Sequence, residues 1–252
     1  MTINIALYSD LHLEFEAWVP HVVDADVIVL AGNIAISDAG MKWAESHFKN
    51  QAIVYVAGYH EFYTKLSYKL ERQLVNTAKE LDIHFLNDGQ CDLFGIEFIG
   101  SILWTDFDLL SDQAMVVYDD KEMSDYKKIT VKKPTGQFRK LSPQDTLSAH
   151  KKSKIFLEAC FKRPHPKRVV VTHHAPSLKS INPVFATHRL TPCYASRLDE
   201  LVKSSGAAYW FHGYTHYPIN YKLGNTRVMT NQRGYLPYHP AKGFNEKFIV
   251  EI

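Results

Sequence analysis

Cysteine is scarce in this chain. Its 252 residues include only Cys91, Cys160 and Cys193, far apart and without a Cys-x-x-Cys pair. That excludes a disulfide framework and a zinc knuckle, and reads as thiols in a reducing compartment. An excess of one charge is lacking too: 29 basic residues against 27 acidic ones leave a formal net charge of +2. Such a balance gives no electrostatic footprint for a long nucleic acid. The basic cluster of Lys127, Lys128, Lys132 and Lys133 reads as a solvated face. No apolar run approaches the ~18 residues that a membrane span needs. The opening MTINIALYSD has neither the basic start nor the apolar stretch of a secretion signal. A cytoplasmic protein with no membrane partner is therefore expected. Internal repeats and low-complexity segments are absent as well, and oligomeric state is not legible.

What is present is an ordinary globular composition, 46% apolar and 22% charged, with 13 histidines, several of them at the ends of apolar runs. The length allows one large domain with a sizeable core. Three short apolar runs open the chain. Ile3 to Tyr8 ends at Ser9-Asp10, Val27 to Ala31 at Gly32-Asn33, and Ile53 to Ala57 at Gly58-Tyr59-His60. Amphipathic stretches follow the second and third: Ala39 to Phe48, and Lys65 to Leu81 with Leu66, Leu70, Leu74 and Ala78 on one face. Short non-alternating runs separated by helical segments predict buried parallel strands in βαβ units. A β-rich stretch begins at His84 and continues through Ile96 to Leu103. Later runs at Arg168 to Thr172, Ala208 to Phe211, Thr226 to Thr230 and Lys247 to Ile252 complete the sheet.

Residues 105–165 are different in kind, polar and lysine-rich. Ser142 at an N-cap and Pro143 at the first helical position predict a helix running to Phe161. The segment as a whole reads as a cap or lid inserted into a single domain spanning 1–252, and long insertions of this sort are often functional. Trp104, Phe107, Tyr118 and Tyr126 are its candidate aromatic pocket residues.

Five apolar strands end in residues able to bind metal or phosphate: Asp10-Leu11-His12, Gly32-Asn33, Gly58-Tyr59-His60-Glu61, His173-His174 and Gly213-Tyr214-Thr215-His216. Ligands of open α/β sheets bind at the carboxyl ends of strands, so these loops should converge. Carboxylate with imidazole suits Mn, Fe, Zn or Ni.

The series SDLH, AGNI, AGYHEFY, VTHHAP and HGYTH resembles, in order and spacing, the motif series of the calcineurin-like metallophosphoesterases: D-x-H, G-D, G-N-H-[ED], a strand-end H, and G-H-x-H. The resemblance covers the chain apart from 105–165. It implies an α/β fold, a four-layer αββα sandwich of two mixed sheets flanked by helices, with a two-metal centre at one edge. Carried over residue by residue, Asp10, His12 and His216 hold the first metal. His173 holds the second, with His174 as the alternative ligand. His60 is the catalytic histidine beside the leaving oxygen, and Arg233 in NQRGY is the candidate phosphate contact.

Three positions depart from the family pattern. Asn33 stands where the bridging aspartate belongs, Tyr59 where the asparagine ligand belongs, and Tyr214 where a histidine ligand belongs. All three touch the second metal. Removing the bridging charge leaves two dications to repel each other in a low-dielectric site. Neutral phenol, with a free pKa of ~10, is a poor ligand. One metal is therefore expected and the second is in question. Three readings stay open: a phosphoesterase working with one metal or a weak second one, a tyrosine bound as phenolate to a ferric or similarly acidic metal, and a phospho-ligand binding protein without hydrolysis. The expected reaction is attack of a metal-activated water on a phosphomonoester or phosphodiester of a small molecule.

Overall fold

The computed structural model describes residues 2–63, 67–110 and 123–252. Leu66 and Tyr118, singled out from the sequence, lie outside the described residues. In chain order the strands are β1 (Asn4–Tyr8), β2 (Val27–Ala31), β3 (Ala52–Val56), β4 (His84–Phe85), β5 (Gly89–Leu93), β6 (Ile96–Ser101), β7 (Thr130–Lys132), β8 (Phe138–Lys140), β9 (Arg168–Thr172), β10 (Tyr209–Phe211), β11 (Asn220–Leu223), β12 (Thr226–Met229), β13 (Gly234–Tyr235), β14 (His239–Pro240) and β15 (Ile249–Glu251). Two large sheets hold most of them, ordered β15-β1-β2-β3-β4 and β11-β12-β10-β9-β6-β5. Each sheet is parallel at its centre. The first carries antiparallel β15 on one edge, and the second carries antiparallel β5 and β11 on its two edges. The runs at Thr226 and Lys247 therefore close different sheets.

The alternation of side chains along a strand explains why the central strands are apolar throughout. Ile5 and Leu7 of β1, Val27 and Val29 of β2, and Val54 and Val56 of β3 face the second sheet, where Phe98, Val169, Val171 and Phe211 meet them. The intervening Ala6, Tyr8, Ile28, Leu30, Ile53 and Tyr55 face outward onto Met41 and Ala44 of the helix Ala39–His47, and onto Leu70, Leu74 and Ala78 of the helix Ser67–Glu80. In the second sheet Val170, Trp210 and Val228 turn the other way and pack on Leu157 and Cys160 of the helix Pro143–Phe161 and Val202 of the helix Asp199–Ser204. The result is the four-layer αββα sandwich, each sheet buried on both faces.

The helix Pro143–Phe161 begins as its sequence dictates. Pro143 takes the first turn, and the Asp145 carboxylate accepts the Ser142 backbone N–H at 2.9 Å. Because Leu157 and Cys160 are core residues, this helix is a layer of the sandwich. The lid-like part of 105–165 reduces, among the described residues, to the short helix Ser124–Lys128 and the hairpin β7–β8. All three cysteines are free thiols. No helix among the described residues is long and apolar enough to cross a membrane.

Candidate metal centre

The loops leaving β1, β2, β3, β9 and β10 meet at one edge of the sandwich. Main-chain bonds stitch them together: Asp10 N–H to Gly32 O at 2.9 Å, His12 N–H to Asn33 O at 3.0 Å, and Gly213 N–H to His173 O at 3.1 Å. The approach is close enough to require glycine. A Cβ on Gly213 would stand 2.6 Å from Asp10 Oδ2, and one on Gly58 2.2 Å from Asn33 Oδ1. Asp10, His12, Asn33, Tyr214 and His216 all adopt left-handed backbone, with φ of 50°, 47°, 55°, 71° and 46°. Such residues carry on the order of 1–3 kcal/mol of strain each, and strain of this kind gathers at functional sites.

Three of the expected metal ligands converge. Asp10 Oδ1 lies 3.4 Å from His216 Nε2 and 3.9 Å from His12 Nε2, with all three ligand atoms within 4.8 Å of one another. His12 Nε2 is buried and has no hydrogen-bond partner. A buried ring nitrogen left unpaired costs free energy unless something accepts it, so this orphan and its neighbours suit a cation. Two imidazoles and a carboxylate form a donor set typical of transition metals with open positions. Burial alone would raise the Asp10 carboxyl. The neighbouring imidazoles, His216 first and then His173 and His12, overcome it and hold the group well below the usual carboxylate range.

Asn33 is not placed as a ligand. Its Oδ1 accepts the His60 backbone N–H at 3.1 Å, which turns its Nδ2 toward Asp10 Oδ1 at 3.2 Å. The amide therefore donates to the carboxylate where a bridging aspartate would share metals with it. The corner where the resemblance puts a second metal is filled by rings. Tyr59 and Tyr214 are buried with centroids 4.9 Å apart, and stand 5.6 and 5.3 Å from His173. Burial pushes both phenols well above their ordinary pKa, against the phenolate form. His173 is held by Nδ1 on Ala31 O at 2.9 Å, with its buried Nε2 unpartnered. His174 sits on Ile102 O at 3.2 Å and turns toward Trp104, whose centroid is 5.1 Å away. Among the described residues neither joins a cluster of three metal-ligating groups.

Arg233 does not line the cleft beside these groups. It is buried, donating to Glu16 O at 2.8 Å and Leu11 O at 3.2 Å, so its guanidinium braces the chain that follows β1. The residue delivered to the site is Tyr235, two positions on. Gly234, at φ +82°, donates its N–H to Asp10 O at 2.9 Å. Tyr235 then stacks on His12 at 4.2 Å, and its hydroxyl lies 3.2 Å from both His60 Nε2 and Tyr59 Oη. His60 itself faces the cleft, with Nδ1 2.6 Å from Glu14 Oε1. Burial lowers its pKa to about 4, against the opposing pull of Glu14.

These groups line a cleft of about 490 Å³, with Tyr59, His60, Tyr214, His216 and Tyr235 on one side and Asp125 and Lys128 on the other. An adjoining cavity of about 370 Å³ shares Tyr194, Thr215 and His216 and adds Ile181 and Phe185. Of the expected pocket aromatics, Phe107 and Tyr126 are core residues, and Trp104 lines a separate cavity. Residues 105–165 reach the cleft through Asp125 and Lys128 instead. The Asp125 carboxyl accepts the Tyr63 hydroxyl at 3.0 Å. Burial raises its pKa to about 7 despite that bond. Glu14, Tyr235 and Asp125 went unseen in the sequence, although Glu14 stands two residues beyond the D-x-H motif.

No protein-family model matches the chain, and no curated protein matches it in sequence. Solved structures do match its fold. Phosphopantetheinyl hydrolase (PptH) from Mycobacterium tuberculosis superposes with a TM-score of 0.70 at 15% identity, over 99% of this chain and 95% of that one. A putative 5'-nucleotidase from Staphylococcus aureus gives a TM-score of 0.49 at 13% identity, over 91% and 48% of the two chains. GAP50 from Plasmodium gives 0.45 at 12%, over 98% and 78%. The fold is that of the calcineurin-like metallophosphoesterases, the fold implied by the strand-end motif series.

Proposed function

We propose that the chain is a phosphoesterase whose centre holds one transition metal on Asp10, His12 and His216. The observation that carries this reading is the convergence of those three ligand atoms around the buried, unpartnered His12 Nε2. The bound ion would supply Lewis-acid polarisation of the phosphate and activation of a water. The chain's own side chains do the rest. Asp10 is held in register by the Asn33 amide and by the Tyr214 backbone N–H at 2.9 Å. His60 Nε2 and the Tyr235 hydroxyl beside it are the atoms placed to exchange a proton with the leaving oxygen. Lys128 contributes a cation at the cleft wall. The apolar cavity next to His216 favours an ester with a bulky organic group over a small, fully polar one.

Metal analysis with hydrolysis assays tests the reading. We expect about one Mn, Fe, Zn or Ni per chain, lost in His216→Ala, and turnover of an aryl phosphodiester that depends on it. Protein that takes up none of these metals and leaves the diester intact with Mn added would refute it. A phospho-ligand protein without hydrolysis has one observation in its favour, the loss of the bridging carboxylate to Asn33. It predicts metal and phosphate binding with no turnover.

A further inference from the structure

Glu14 holds two rings of the site with a single oxygen. Its Oε1 lies 2.6 Å from His60 Nδ1 and 3.4 Å from His12 Nδ1. The three residues bring their ligand atoms together closely enough to suggest a second cation site. The 2.6 Å separation argues otherwise. Two donors bonded to one ion at ~2.0–2.2 Å and near-tetrahedral angles stand roughly 3 Å or more apart. A proton, not a cation, fits between Glu14 and His60.

That proton sets the chemistry of both histidines. A neutral imidazole carries one N–H, and when Nδ1–H is donated, Nε2 is left bare. In His12 the bare Nε2 is the unpartnered atom beside Asp10. In His60 it is the atom that meets the Tyr235 hydroxyl on the cleft side. With the rings reversed, His12 would point an N–H into the metal position, and His60 would give up its acceptor. The centroids of the two rings are 4.4 Å apart, close enough for one carboxylate to serve both. The Glu14 side chain is itself only 13% exposed, and its Oε2 is buried without a partner.

We propose that Glu14 is the positioning carboxylate of this centre, fixing His12 as a metal ligand and His60 as a proton-exchanging group through the same oxygen. The proposal rests on reading Asp10, His12 and His216 as the metal site. It goes beyond that reading by tying metal affinity and the proton step to one residue that touches neither metal nor substrate.

Three measurements on Glu14→Ala and Glu14→Gln test it. Nitrogen-15 correlation spectra of the metal-free protein should show both rings with Nε2 unprotonated in the parent, and mixed tautomers in Glu14→Ala. Chelator competition with Mn or Zn should show affinity reduced 10- to 100-fold in Glu14→Ala, the usual cost of losing an outer-shell partner, and about tenfold in Glu14→Gln. On an aryl phosphodiester at saturating metal, kcat should fall while KM stays within threefold. Unchanged tautomers with metal affinity within threefold of the parent would overturn the proposal. If Glu14→Ala does not fold, unchanged affinity in the isosteric Glu14→Gln overturns it equally. Should the parent itself bind no metal, the phosphoesterase reading falls, while the spectra of the metal-free protein still decide the role of Glu14.

Discussion

Asn33→Asp supplies the carboxyl that the motif series carries and this chain lacks at this position, and its cost can be worked out from one distance. Asn33 Nδ2 lies 3.2 Å from Asp10 Oδ1, so a second carboxylate there would face the first at that range. Two unit charges so placed repel by about 5 kcal/mol at an effective dielectric of ~20. The introduced carboxyl has an alternative, which is to hold a proton. Keeping a group of ordinary pKa ~3.9 protonated at pH 7 costs about 4 kcal/mol. The smaller figure governs, so metal-free Asn33→Asp should lose about 4 kcal/mol at neutral pH, or roughly 8–16 °C in Tm for a domain of this size. Protonated, the new carboxyl again donates to Asp10, and the loss disappears. The sign follows from linkage: its pKa is raised by folding, so stability is intact below about pH 4 and is lost as pH rises, by about 1.4 kcal/mol per unit. Urea unfolding in chelator between pH 4.5 and 7.5 measures the slope, and added Mn should remove the deficit because a carboxylate at this position can now be a ligand. A deficit under about 1 kcal/mol at pH 7, or one independent of pH, would refute the arrangement of Asn33 against Asp10.

Two further outcomes follow from the same geometry. Arg233→Ala should cost about 3 kcal/mol in chemical denaturation, because the Leu11 and Glu16 carbonyls lose their donor, while KM of the folded enzyme at saturating metal stays within a few-fold; a KM rise beyond tenfold would return Arg233 to the phosphate. Asp125→Asn should gain stability relative to the parent as pH rises. Burial raises the folded pKa of the Asp125 carboxyl to about 7, so its contribution is full below its ordinary pKa and falls away as pH rises to 7 by up to about 4 kcal/mol, while the amide oxygen of the variant still accepts from Tyr63; equal stability differences at pH 5 and 8 would count against a buried Asp125 that resists ionisation.

The central strands were legible because burial on both faces leaves a continuous apolar run, and β2 and β9 fall where their runs predict. The edge strand β11 was not, and β5 showed only as part of the β-rich stretch from His84. Gly89–Leu93 and Asn220–Leu223 each keep partly open faces, so they carry Gln, Asp, Asn and Lys and resemble loops. At the site, Asp10, His12 and His216 were legible because each lies in a short motif just past the end of an apolar run, the one ending at Tyr8 or the one ending at Phe211. Arg233 misled because charge near a strand end suggests an anion, whereas here it closes main-chain carbonyls. The residue that does enter, Tyr235, arrives by a two-residue strand after a left-handed glycine, a feature with no period to detect.

From the sequence, the inserted segment and the altered metal positions looked like two separate peculiarities. In three dimensions they meet at one cleft. Tyr214 packs against Tyr59 and His173, and it lines the same cleft as the Asp125 carboxylate of the insert. Tyr63 reaches the same carboxylate, and Tyr59 is satisfied instead by Tyr235. A buried tyrosine hydroxyl must be paired, at a cost of about 1–3 kcal/mol if it is not. The helix Ser124–Lys128 supplies the partner of Tyr63, and it brings Lys128 to the cleft in the same turn. Rebuilding a second metal site takes Asn33→Asp, Tyr59→Asn and Tyr214→His together, because the Asn33 amide donates to Asp10 and both rings occupy the corner beside His173. Metal stoichiometry in chelator-buffered Mn should approach two per chain in that triple variant, with each single variant remaining nearer one.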